Sequence, residues 1–393
     1  MIGTMLGAIK RSPAVPALAG LVVLCTVFSI MRPRFFTAGN LANLTTQGAQ
    51  ITVIAMGLVF VLLLGEIDLS AGFASGVCAG VLAVSLARYH LPWYFSALVA
   101  VVTGTLIGFL LGYLVAKIGI PSFVVTLAAF LAFQGVALLL LEEGKNISVR
   151  EPIIVAIANR NLYPWLGWAL GGFGVLAFAA VQFLSAARRR AKGVTAERWQ
   201  ITLTKVIVLA VLTGGIVFVL NEERSANPLF ASLKGVPIVV PIVVVLVVLW
   251  TFVLRRTAYG RHLYAVGGNR EAARRAGINV DRIRISAFVI CSTMAAIGGI
   301  IAASRANSVD PNTGGSNVLL YAVGAAVIGG TSLFGGKGRV IDAVIGGLVV
   351  AVIENGMSLM NYGAGIKYVV TGIVLLLAAG VDALSRKRTD ADR

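Results

Sequence analysis

The sequence predicts an all-α fold: a polytopic bundle of about 12 transmembrane helices (10–12), with both termini in the cytoplasm. Three observations carry this reading. Apolar residues make up 58% of the 393-residue chain and charged residues only 12%, whereas a soluble domain carries about 25% charged residues. The apolar residues fall into runs approaching the roughly 20 residues that a helix needs to cross about 30 Å of hydrocarbon. The basic residues gather in the gaps between runs, more on one side than the other. A soluble cytoplasmic enzyme, a disordered tail and a disulfide-stapled secreted module are all excluded by this composition.

The runs lie near 14–31, 50–65, 71–87, 95–116, 121–141, 164–185, 203–220, 236–254, 285–303, 318–334, 340–359 and 366–383. Lys10 and Arg11 precede the first, as in a signal peptide. Met31-Arg32-Pro33-Arg34 follows it in place of a small-x-small cleavage site, so it reads as a retained anchor. The second and third runs, parted near 65–71, are two spans or one broken helix. Alternating sides from a cytoplasmic N-terminus puts roughly two thirds of the 33 Lys and Arg residues inside. That inside set includes Arg188, Arg189, Arg190, Lys192, Arg198, Arg386, Lys387, Arg388 and Arg393; Arg32 and Arg34 are the main exceptions. Segments 142–163 and 221–235 become outside connections. The longest polar insert, 255–284, becomes a cytoplasmic loop within one domain, 1–393.

The net charge of +17 sits between apolar runs and is not interleaved with aromatics, which favours membrane lipid over nucleic acid as its partner. Cys25, Cys78 and Cys291 lie inside apolar runs without CxxC spacing, and His90 and His262 are the only histidines. Neither a metal nor another cofactor is expected. Glycine is abundant, at 45 residues. The four-residue spacing of Gly104, Gly108 and Gly112, and the pairs Gly298-Gly299 and Gly346-Gly347, suit close helix packing within the chain more than a dimer seam.

The most informative stretch is Gly267-Gly268-Asn269-Arg270-Glu271-Ala272-Ala273-Arg274-Arg275-Ala276-Gly277. Asn269 is a good N-cap. Glu271 falls in the first turn and Arg274 and Arg275 in the last, each where the helix dipole favours its charge. Gly277 suits the left-handed position after the helix, and Glu271 and Arg275 stand i,i+4. Asp281 is expected to cap the next span, beginning near Ile283. A helix of about two turns is unstable alone in water and needs a surface to dock on; a solvated loop held by its neighbouring spans accounts for the charge pattern equally well.

Gly65-Glu66-Ile67-Asp68-Leu69-Ser70 breaks an apolar region with two carboxylates. Glu66, Asp68 and Ser70 are candidates for a substrate path, because ionisable groups at membrane depth mark function and a broken helix exposes backbone donors. The plainer reading has the carboxylates at helix ends or at the inner interface, with Asp68 or Ser70 as an N-cap. A paired-carboxylate hydrolase is rejected, since nothing completes such a site. Gly330-Thr331-Ser332-Leu333-Phe334-Gly335-Gly336-Lys337-Gly338 is similar to a phosphate loop, but the spacing is one residue too long and Gly338 stands where Ser or Thr should hold Mg²⁺. The chain is therefore not expected to carry an ATPase site.

Glu271-Ala272-Ala273 with Gly277 resembles the EAA loop of permease subunits of bacterial ATP-binding-cassette importers, without that pattern's downstream Ile and Leu-Pro. Leu263 to Asn269 through Ala272-Ala273 to Gly277-Ile278, Arg34-Phe35-Phe36 with Asn40-Leu41, Gly65 to Ser70, and Gly329 to Gly338 resemble more specifically the monosaccharide permeases of the ribose/xylose type. Extra hydrophobic sequence within 145–235 looks like the xylose-transport members. The resemblance implies a coupling helix at Gly268, Asn269, Arg270, Glu271, Ala272, Ala273, Arg274, Arg275 and Gly277. It implies an ATP-binding-cassette ATPase, a periplasmic sugar-binding protein and a second copy of the permease as partners, no enzyme activity of its own, and an inner-membrane location. The competing expectation is a proton- or sodium-coupled carrier using Glu66, Asp68, Asp342 or Glu354. A membrane-embedded enzyme ranks behind both for want of a reactive cluster.

Overall fold

A computed structural model describes residues 15–142, 145–193, 199–225 and 232–391. Lys10, Arg11, Glu143, Arg198 and Arg393 lie outside the described residues. The helices are α1 (Val15–Met31), α2 (Ala38–Leu63), α3 (Ala71–Ala87), α4 (Trp93–Tyr113, continued by a π turn at Leu114–Ile118), α5 (Ser122–Leu141), α6 (Pro152–Asn159), α7 (Pro164–Ala191), α8 (Trp199–Leu220), α9 (Val239–Arg256), α10 (Ala258–Gly268), α11 (Arg270–Arg275), α12 (Val280–Ala306), α13 (Ser316–Ile328), α14 (Val340–Leu359) and α15 (Ala364–Ala391). Among the described residues, eight helices are long and apolar enough to cross a membrane; four more apolar segments, within α1, α3, α13 and α15, are shorter.

The fold is nearly all-helical, with short elements added in the expected connections. Strands β1 (Ile147–Ser148) and β2 (Ser308–Val309) pair antiparallel, tying the two connections that follow α5 and α12. The segment expected as a plain outside connection, 142–163, also contains α6, whose Ala158 N–H donates to Ser304 Oγ at 2.9 Å. Several boundaries shift. Helix α2 starts at Ala38, well before the apolar run, because Thr37 caps it. Helix α13 ends at Ile328, and the glycine-rich sequence after it is a turn. The break at 64–70 separates two distinct helices.

Helix α12 lies at the centre, between α2, α3 and α4, and small residues explain how it fits. A Cβ placed on Gly104, Gly108 or Gly112 of α4 would stand 2.6 Å from Ser292 O, 2.4 Å from Phe288 O and 2.8 Å from Ile285 Cα. The expected stripe thus packs within the chain, backbone on backbone, where dispersion and weak polar contacts substitute for the absent hydrophobic drive. Gly298 meets Ile54 of α2, Gly299 meets the Ser75 carbonyl of α3, and Gly346 of α14 meets the Ala325 carbonyl of α13. The second half of helix α2 is apolar all round and accordingly enclosed: every apolar side chain from Val53 to Leu63 is no more than 1% exposed.

Helices α7 and α8 form the opposite case. They are strongly apolar, yet Gly167 is the one buried residue of α7 among those described. Gly171 approaches Thr213 and Val217, so the two helices pack on each other as a hairpin beside the core. Their remaining apolar faces suit lipid contact.

The turn-rich sequence after β2 reaches into the bundle. The carbonyls of Gly314 and Thr313 lie against Gly72 and Gly76 in the first turns of α3. Helices α3 and α13 therefore both begin inside the bundle, after a break.

Candidate functional site: helix α11 and its anchor

The stretch 255–284 is far more helical than a loop: α9 ends at Arg256, α10 and α11 follow, and α12 begins at Val280. Asn269 separates α10 from α11. Its side chain accepts from Ala272 N–H at 2.9 Å, giving the first turn of α11 a partner for one of its free donors. At the other end Gly277 has φ +83°. Its N–H donates to Arg274 O, and Ile278 N–H donates to Ala273 O at 3.1 Å, the pair of bonds that defines a Schellman stop. Glu271 Oε1 accepts from Arg275 Nε at 3.2 Å. Asp281, expected to cap the next span, does not: Asn279 accepts from Arg282 N–H at 3.0 Å, while Asp281 pairs with Lys117 at 2.9 Å. Asn279 precedes the first helical residue, which is where a cap must stand.

One face of α11 is docked and the other is free. Ala273 is buried against the core, whereas Glu271, Ala272, Arg274, Arg275, Ala276 and Gly277 are exposed. Helix α10, which leads into α11, is itself seated on two other segments of the same end of the bundle. A Cβ on Gly267 would fall 1.8 Å from Leu63 O, so α10 ends directly on the C-terminus of α2. That same Leu63 carbonyl accepts from Gly336 N–H at 2.8 Å, which brings in the glycine-rich turn before α14. Tyr264 Oη donates to Gly338 O at 2.7 Å; burial pushes this phenol up from its ordinary value. Gly268, by contrast, has open space around it.

Glu66 is the keystone of this end. It is 5% exposed, and its Oε1 accepts from Arg270 Nη2 at 2.7 Å and from Arg284 Nη2 and Nε at 2.6 and 3.0 Å. Arg270 also donates to Leu64 O at 3.1 Å. The first residue of α11, the break after α2 and the first turns of α12 thus share one carboxylate. A buried charge is tolerated when it is paired and hydrogen-bonded, and here two guanidiniums serve one carboxylate. The sequence-level reading kept Glu66 and Arg270 in separate sites; the structure joins them. It missed Arg284, whose signal was available as a second cation, two residues after Arg282, in the first turns of an apolar span.

Asp68 and Ser70 are both fully buried. Asp68 Oδ1 accepts from Ser70 N–H at 2.9 Å and Ser70 Oγ at 2.6 Å, and Oδ2 has no hydrogen-bond partner among the described residues. Ser70 stands at the N-cap of α3 but makes no side-chain cap bond. None of the three residues of the suggested substrate path is open to solvent in this conformation, and Glu66 is closed off by its two arginines. Asp342 pairs with Arg339 at 2.7 Å in a capping box for α14.

The opposite end carries a second polar network that the sequence did not disclose. Asn40 and Asn355 exchange side-chain hydrogen bonds at 2.8 and 2.9 Å, and Glu354 lies within electrostatic reach of Arg305 and Lys367. These residues sit in four different segments, so no local pattern links them.

Comparison with known proteins matches residues 40–379 to the family described as "Branched-chain amino acid transport system / permease component". The chain is 36% identical over 356 residues to the xylose transport system permease protein XylH of Escherichia coli (strain K12), covering 90% of this chain and 87% of that protein. It is 33% identical over 372 residues to XylH of Haemophilus influenzae (strain ATCC 51907 / DSM 11121 / KW20 / Rd), covering 94% and 96%. It is 29% identical over 367 residues to the ribose import permease protein RbsC of Escherichia coli (strain K12), covering 93% and 92%. No solved structure matches. With the apolar helices and the family's extent along it, the chain belongs to the branched-chain amino acid transport system permease family, as a multi-pass inner-membrane sugar permease of the ribose/xylose type.

Proposed function

We propose that this permease moves a pentose, xylose in the first instance, across the inner membrane by alternating access driven by a separate ATP-binding-cassette ATPase. The observation that carries the reading is the two-faced α11. Its exposed side offers Glu271, Arg274 and Arg275 to a partner, and its docked side is bonded through Arg270 to Glu66. A six-residue helix does not hold its shape unaided; it is held here by its caps and by the seat under Gly267. Closure of the ATPase on nucleotide would displace α11. Arg270 would carry that displacement to Glu66 and so to segment 64–70, from which α3 starts. Packed interfaces shift between discrete arrangements rather than deforming smoothly, so the helices would change facing together.

In this reading α11 faces the cytoplasm, both termini lie there, and each ATPase site is served by one copy of α11 in a permease homodimer. A periplasmic sugar-binding protein delivers substrate to the opposite end. Asp68 and Ser70 line the path only once the break opens. The preference for xylose rests on the relatives named for it and on the α7–α8 hairpin, which occupies the extra hydrophobic sequence.

The experiment is purification of the tagged permease from membranes in mild detergent, with uptake of labelled D-xylose and D-ribose by the same cells. Co-purification of an ATPase and a sugar-binding protein, with xylose uptake exceeding ribose uptake, is expected. Uptake that persists under vanadate and collapses with a protonophore contradicts the proposal.

A further inference from the structure

At the end of the bundle opposite α11 lies a cavity of about 400 Å³, open to solvent and lined by Gln50 of α2, Arg305 of α12, and Asn312 and Thr313 of the connection to α13. Its size falls within the range of about 300–1,000 Å³ typical of small-molecule sites. We propose that this cavity is a docking vestibule for a neutral polyhydroxylated monosaccharide on its way into the permease. The inference rests on the sugar-import reading above and adds the residues that meet the sugar.

The chemistry of the lining selects the ligand. Sugar hydroxyls both donate and accept, so a site for them needs both functions. Gln50 and Asn312 each supply an amide with donors and an acceptor, and Arg305 supplies a fork of donors. Asn312 uses its backbone N–H on Asp310 Oδ1 at 2.7 Å and its carbonyl on Gly315 N–H at 2.8 Å, which leaves the side-chain amide for the cavity. Glu354 lies within electrostatic reach of both Arg305 and Lys367, so it offsets the Arg305 charge only in part. The two amides, which both donate and accept, are what match a hydroxyl-rich ligand. Ala302, Ala306 and Val318 complete the wall with an apolar surface for the C–H face of a sugar ring.

The site is also held in place. Gly314 is wedged against the Gly72 carbonyl and Gly76 N–H of α3, so the 312–314 backbone cannot recede without moving α3. Helix α3 begins after the break at 64–70, whose Glu66 pairs with Arg270 of α11. A ligand in the vestibule therefore touches, through one packed segment, the helix that the coupling helix addresses.

The test uses the full permease with its partners in inverted and right-side-out membrane vesicles. Cys78 and Cys291 are buried and Cys25 is half-buried, so Ala306→Cys in a Cys25→Ser background gives one accessible reporter thiol at the rim. A membrane-impermeant methanethiosulfonate reagent should label it from the periplasmic face. Adding 50 mM D-xylose or D-ribose should slow labelling at least threefold, and an equal concentration of glycine betaine should not. Adding Gln50→Leu or Asn312→Leu to the reporter chain should remove that protection. Equal labelling rates with and without sugar, in vesicles that still import the sugar, overturn the vestibule and leave the import reading standing. Failure of wild-type vesicles to import either pentose with ATP overturns the import reading itself, and the vestibule with it.

Discussion

The Glu66 carboxylate and the Arg270 guanidinium meet at 2.7 Å across a sequence separation of some 200 residues, and they join the break before α3 to the first residue of α11. Arg284 completes the contact at 2.6 Å. The two arginines differ in setting: the Arg270 side chain is 45% exposed and that of Arg284 14%. A half-exposed pair contributes little to stability, about 0–1 kcal/mol, whereas losing Arg284 leaves the buried carboxylate only the half-exposed Arg270 and costs more, toward the roughly 3–5 kcal/mol of an unpaired buried charge.

Arg284→Gln should therefore lower the amount of permease in the membrane and its unfolding temperature, while Arg270→Gln should leave both near wild type. Sugar uptake should fall at least tenfold in Arg270→Gln even so, because the link to Glu66 is cut. Immunoblotting, thermal unfolding in detergent and uptake measured on the same preparations separate the two roles.

Gly267 and Gly268 are adjacent and predicted to respond oppositely. Gly267→Ala puts a methyl group 1.8 Å from Leu63 O, whereas Gly268→Ala meets nothing within 4 Å. The first should abolish uptake by unseating α10 and α11. The second should stay within about 0.5 kcal/mol of wild type, as surface changes generally do. Uptake normalised to membrane content checks both.

Gly277, at φ +83°, should tolerate Asn better than Ala and Ala better than Pro. A left-handed residue with a Cβ costs roughly 1–2 kcal/mol, and Asn bears that conformation more readily than Ala. Proline both forbids the angle and removes the N–H that donates to Arg274 O. The ranking is read as initial uptake rates for Gly277→Asn, Gly277→Ala and Gly277→Pro.

Much of this molecule could be read before its structure. The apolar runs gave the helices of the bundle, and the Gly104, Gly108 and Gly112 stripe correctly pointed to packing within the chain. Asn269 and Gly277 marked the ends of α11 because caps are local, set within four residues of the groups they satisfy. What could not be read is what depends on distant pairs. Glu66 looked, with Asp68, like a carboxylate without a cation because neither arginine lies near it in sequence. The polar network of Asn40, Asn355, Glu354 and Arg305 is spread over α2, α14 and α12 and leaves no periodic trace. Asp281 was misassigned as a cap because Asp and Asn are both good caps and two residues decide which of them precedes the first helical turn.

Glu223, in the connection after α8, gives a pH-dependent check at the opposite end. Hydrogen bonds, first from Leu233 N–H and then from Ser232 Oγ and Ser225 N–H, hold its carboxyl down to about 2. A depressed folded-state value means these bonds contribute order at pH values above the ordinary carboxylate range, and that contribution is lost as pH falls toward about 2. Protection of the Leu233 amide, its exchange taken relative to the intrinsic rate at each pH, should fall across that window in the wild type. In Glu223→Gln it should already be lower at pH 7.

The central claim is that the exposed face of α11 is held by an ATPase subunit on the cytoplasmic side. Cross-linking from Ala276→Cys, with a thiol-directed bifunctional reagent added to inverted vesicles, tests it most directly. The account predicts a permease–ATPase adduct whose yield changes between ATP and ADP. Labelling of Ala276→Cys by an impermeant reagent from the periplasmic face, or an adduct formed only within the permease itself, would contradict it.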